Sequence, residues 1–115
     1  MDLTQMKNSG QHGAWRIVVP DRVVRETKEL PVAVQRDAQD IISGLKEDPS
    51  PPDSRRLRKN RNVRRIRFYH GKHPKRKNHV ALYRLIYEIF EATQTVKILR
   101  IAYRDQLTYR GFDRW

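Results

Sequence analysis

Arginine recurs at positions 65, 67, 84 and 104, followed by a tyrosine at 109, inside a stretch (63–109) otherwise built from apolar runs. A guanidinium is planar, stays charged at any working pH and offers paired donors that match two phosphate oxygens. Arg65, Arg67, Arg84 and Arg104 stand where a purely structural strand would carry Val, Thr or Tyr. Residues of this type at this spacing predict a phosphate-binding surface.

The runs that must position them are RRIRF (64–68), LYRLIYEIF (82–90) and KILRIAYR (97–104). Their period near two predicts three consecutive antiparallel strands, since alternate side chains on a strand face opposite sides. In the first of the three, Ile66 and Phe68 point one way and Arg65, Arg67 and Tyr69 the other. In the next, Tyr83, Leu85, Tyr87 and Ile89 share one face, with Arg84, Ile86, Glu88 and Phe90 opposite. Tyr83 and Tyr87 read as core residues with their hydroxyls outward. The last run is apolar on both faces, which predicts a place in the interior of the sheet.

Upstream, AWRIVV (14–19) reads as a further strand with Trp15, Ile17 and Val19 on one face, ended by Pro20. Asp21 is expected to N-cap a helix running to about Leu30. Pro31 then opens a second, amphipathic helix over 32–47, with Val34, Ala38, Ile41, Ile42 and Leu45 at helical spacing. The segment 48–54 (DPSPPDS) holds three prolines and predicts an extended connector. Residues 70–80 read as a polar loop, and 1–13 as a flexible tail ahead of a single domain over 14–115.

A chain of 115 residues supports one core. It has no cysteine, which removes disulfides, thiolate metal sites and thiol nucleophiles from consideration and fits a reducing, cytoplasmic home. No apolar run approaches the length of a membrane span. The net charge is +12, and its distribution matters more than its size. Residues 1–53 hold seven Lys or Arg against nine Asp or Glu; residues 54–115 hold eighteen against four. From 55 to 77 there are twelve basic residues and no acidic one. That asymmetry predicts a polyanionic partner, or a strongly acidic protein, for the second half of the chain.

The element order, with Leu30-Pro31 between the helices, Asp48-Pro49 after them, Leu57-Arg58, Arg65-Ile66-Arg67, Tyr83-Arg84-Leu85-Ile86-Tyr87-Glu88-Ile89, and Tyr103-Arg104 with Tyr109, resembles the RelE/ParE superfamily of bacterial toxins. The resemblance implies an α+β, RelE-like fold: β-α-α-β-β-β, with a mainly antiparallel four-stranded sheet and a helical hairpin on one face. For the RelE branch it implies a ribosome-dependent mRNA endonuclease that uses the RNA 2′-hydroxyl as nucleophile, needs no metal or other cofactor, and is held inactive by a cognate antitoxin, expected to be acidic and partly disordered. Arg84 and Arg104 then stabilise the charge that grows on the phosphorane, the kind of interaction that dominates many catalysed reactions. Arg65 joins the catalytic group, and Tyr109 either takes a proton or stacks on a base. RNA binding falls to Arg67, Arg58, Arg64, Lys72, Lys75, Arg76 and Lys77.

RelE carries lysines where this chain has Arg65 and Arg67, so the proton acceptor passes to Tyr109 or to one of His70, His73 and His79. A structural alternative for Arg84 is a surface pair with Glu88 or Glu91. Two further readings stay open: a ParE-like inhibitor of DNA gyrase that does not cut RNA, and a non-catalytic basic module that binds nucleic acid.

Overall fold

A computed structural model of the chain describes residues 14–57, 62–72 and 80–103. Its elements, in order, are β1 (Arg16–Val18), α1 (Asp21–Lys28), α2 (Val32–Leu45), β2 (Ser54–Arg56), β3 (Val63–Lys72), β4 (Val80–Phe90), a single 3-10 turn (Glu91–Thr93) and β5 (Thr95–Tyr103). The strands form one sheet in the order β1-β5-β4-β3-β2. The α+β class, the helical hairpin and the three consecutive antiparallel strands agree with the sequence reading.

One expectation about the sheet is corrected: among the described residues it has five strands rather than four. It is mainly antiparallel, as expected, with β1 running parallel to β5 through Arg16↔Thr95, Ile17↔Val96 and Val18↔Lys97. The additional strand emerges from the end of the proline-rich connector: Ser54–Arg56 pairs antiparallel with β3, Ser54 opposite Ile66 and Arg55 opposite Arg65. Ser-Arg-Arg has no apolar alternation to reveal a strand, and it pairs because the outer edge of β3 offers it a ladder. As expected, β5 lies inside the sheet, between β1 and β4.

The start of the first helix also differs from expectation. Pro20, not Asp21, caps α1, its carbonyl accepting from Val24 N at 3.0 Å, and Pro31 does the same for α2 through Gln35 N at 3.0 Å. Asp21 sits instead in the first turn, where a carboxylate complements the helix dipole. Helix α1 stops at Lys28, and Gln35 Nε2 donates to the Leu30 carbonyl at 2.8 Å, bracing the turn between the helices. The expected loop is shorter at both ends, because β3 continues to Lys72, opposite Val80, after an irregularity beyond Tyr69. Residues 73–79, and with them His73 and His79, lie outside the described residues.

The helices cover one sheet face. Val23, Val34, Ala38 and Leu45 pack there on Ile66, Leu85, Tyr87 and Ile98. Phe68 stacks on Tyr83 with ring centroids 5.7 Å apart, and Tyr103 meets Tyr83 edge-on at 5.6 Å. The opposite face has a smaller apolar group, Val63, Ile86 and Ala102, flanked by Leu57 and Leu99.

Tyr87 does not carry its hydroxyl outward. It is fully buried, and the hydroxyl donates to the Pro49 carbonyl at 2.7 Å, tying the connector to the sheet. Burial pushes this phenol above its ordinary value of 10.0, against the opposing pull of Ser54 and Arg64. A group raised on folding contributes stability that is complete below its unfolded pKa, about 10 for tyrosine, and is lost as pH climbs through the folded value. Tyr87→Phe is expected to cost about 1–2 kcal/mol at neutral pH, since the Pro49 carbonyl loses its donor. It should also flatten the alkaline fall in stability, measured by urea denaturation as a function of pH.

Candidate nucleic-acid interface

Strand alternation delivers Arg65, Arg67 and Arg84 to the face that the helices leave open. Along β3 the residues alternating with core Ile66 and Phe68 are Arg65, Arg67 and Tyr69; along β4 those alternating with Tyr83, Leu85 and Tyr87 are Arg84, Ile86 and Glu88. Arg67 stands directly across from Arg84, and Arg65 across from Ile86. Residues opposite each other in an antiparallel pair have Cβ atoms about 5 Å apart, so Arg67 and Arg84 stand side by side on this face. Val63, Ile86 and Ala102 form the apolar floor beside them.

Register adds an arginine that the sequence reading did not place. Arg55 of β2 faces Arg65 of β3, so Arg55, Arg65, Arg67 and Arg84 descend across three strands as a staircase. Finding Arg55 required knowing that β2 is a strand, and nothing in Ser54-Arg55-Arg56 signals one. The steps differ in depth: Arg55 and Arg67 are exposed, Arg65 is half-buried, and Arg84 is 3% exposed. Partial burial lowers the pKa of Arg65, and the neighbouring charges of Arg67 and Arg55 lower it further. Three cations held this close repel one another, and an anion among them would relieve the repulsion.

Arg84 is therefore no surface residue, and the surface ion pair considered for it does not match its burial. Glu88, on the same strand face, is buried too. Arg64, expected among the RNA-binding residues, is not brought into the group. It lies on the other face, opposite Tyr87, with Nε donating to Ser54 Oγ at 2.8 Å and Nη2 to the Ser54 carbonyl at 3.3 Å. Arg100 of β5, opposite Ile86 beside a bulge, is engaged by Glu26 of α1 at 3.6 Å. Lys72 belongs to β3 by its backbone. Arg58, Lys75, Arg76, Lys77, Arg104 and Tyr109 lie outside the described residues, as do the side chains of His70 and Lys72.

The architecture is that of the RelE toxins. An arginine-to-alanine double variant of the E. coli RelE toxin in the free state superposes with a TM-score of 0.64 at 15% identity, over 85% of this chain and 92% of that one. The toxin–antitoxin complex RelBE2 from Mycobacterium tuberculosis gives 0.59 at 22% identity, over 79% and 99%. The intact E. coli RelBE toxin–antitoxin complex gives 0.57 at 18%, over 77% and 95%. No protein-family model matches the sequence, and no curated protein matches it significantly. At these identities the likeness is one of fold.

Proposed function

We propose that this protein is the toxin of a toxin–antitoxin pair, a cytoplasmic endoribonuclease that cuts mRNA on the ribosome through the RNA's own 2′-hydroxyl. The observation that carries the reading is the register of Arg67 against Arg84, with Arg65 beside them, on the open face of a RelE fold. In the proposed step the 2′-oxygen loses its proton to a base and attacks the adjacent phosphorus. The bond from phosphorus to the 5′-oxygen breaks, the leaving oxygen takes up a proton, and a 2′,3′-cyclic phosphate remains.

Between these events the phosphorane carries more negative charge than the substrate, which guanidiniums stabilise without any proton moving. Arg84 suits that task because its burial excludes water and strengthens its field. Arg65 and Arg67 hold the RNA, and an anion there relieves the repulsion that Arg67 and Arg55 exert on Arg65. Arg104 joins Arg84, and Tyr109 takes the proton or stacks on a base, on the strength of the sequence pattern. A cognate acidic, partly disordered antitoxin would silence the protein by neutralising the same basic face, in keeping with the complexes that the similar toxins form.

The test is tightly controlled expression with mapping of RNA ends. New cuts inside translated codons are expected, and they should disappear in the Arg84→Ala, Arg104→Ala double variant. Absence of cuts, or cuts that survive the double substitution, would remove the nuclease reading. DNA damage with translation intact would select gyrase inhibition in its place.

A further inference from the structure

Two residues of the open face have no part in the chemistry above. Arg55 extends the row of Arg65 to the β2 edge, and Tyr69 follows Arg67 on β3 with 63% of its surface in water. Strands favour tyrosine for its packing, yet this ring packs little. The sheet also leaves room beside it. The described pairing of β2 with β3 ends at Ser54↔Ile66, so among the described residues no strand flanks β3 on its outer side from Arg67 onward.

We propose that Arg55, Arg65, Arg67 and Tyr69 form a track for single-stranded RNA: the guanidiniums take successive phosphates, and the Tyr69 ring stacks on an unpaired base. The inference rests on the RNA reading above for the identity of the ligand. Arg55 and Arg65 are neighbours across the ladder, about 5 Å apart at Cβ. Arg65, Arg67 and Tyr69 then follow along one strand face in steps of about 7 Å. The track therefore runs in from the β2 edge and out along β3, with buried Arg84 at its inner side, opposite Arg67. Stacking needs a base freed from its duplex, so the geometry selects single strands over helices, and it tolerates any base because every base has a π-face.

The test is fluorescence anisotropy of the full chain with a short labelled single-stranded RNA across a salt series, for wild type, Arg55→Ala, Tyr69→Ala and Tyr69→Phe. Arg55→Ala should weaken binding and reduce the log–log salt slope by about 0.7, the share of one phosphate contact on a single strand. Tyr69→Ala should weaken binding by about 5- to 160-fold with the salt slope unchanged, the range found for loss of one stacked base. Tyr69→Phe should bind like wild type. Both alanine variants should keep the wild-type melting temperature, since both side chains are exposed. In ribosome-dependent cleavage they should raise KM and leave kcat in place.

Unchanged RNA binding in both alanine variants overturns the track, and so does weakened binding of an acidic polypeptide with RNA binding intact, or equal preference for duplex RNA. Preference for single-stranded DNA over RNA overturns the choice of ligand. If the track residues behave as stated while no mRNA is cut, the nuclease reading falls and the track stands. If cutting proceeds and the variants bind normally, the reverse holds.

Discussion

Replacing Arg84 by alanine is expected to slow mRNA cleavage by about 100- to 1,000-fold, the usual cost of removing one donor aimed at charge that develops in the transition state. The effect should fall mainly on kcat, because the interaction strengthens only as the phosphorane forms. At 3% exposure the Arg84 guanidinium lies where water screens it little. Burial also means that alanine leaves a gap in the sheet face, so the activity loss must be separated from loss of fold. Arg84→Lys does this. It keeps a cation and most of the volume but gives up the planar, paired donors. If the lysine variant melts like wild type and cleaves slowly, the guanidinium geometry matters for the reaction. Full activity in the alanine variant would remove Arg84 from the chemistry.

Leu85→Ala, one residue further along β4, is expected to destabilise the protein by about 3–5 kcal/mol, as for other fully buried leucines cut back to alanine. Leu85 is 0% exposed, stands across from Ile66 on one side and Ile101 on the other, and belongs to the cluster beneath the helices. A domain of this size has about 5–15 kcal/mol in total, so the variant should sit near the edge of folding at 37 °C. Urea denaturation monitored by the tryptophan signal measures the loss. Ile86→Ala should cost less, although Ile86 is equally buried, because it points into the smaller group with Val63 and Ala102. A larger loss for Ile86 than for Leu85 would show the open face to be the main core.

Much of this molecule was legible in the order of its residues, and the reason is that strand alternation is local. Once 64–68 and 82–90 are strands, their period of two already separates Arg65, Arg67 and Arg84 from Ile66, Phe68 and Leu85. The hairpin of helices was equally plain from the spacing of Val34, Ala38, Ile41 and Leu45, and the charge asymmetry marked the half of the chain in which the arginine row lies. Pairing between distant segments was not legible. That β1 lies parallel to β5, that three polar residues at 54–56 add a strand, and that Arg55 consequently meets Arg65 are matters of register between segments far apart in the chain. Arg64 shows the same limit at a single site. It continues the basic run, yet parity turns it to the other face, where Ser54 accepts its hydrogen bonds. The sequence by itself determined which strand faces carry charge; tertiary structure alone decided which charges meet and how deeply each is buried, because neighbours across a ladder are set by long-range pairing.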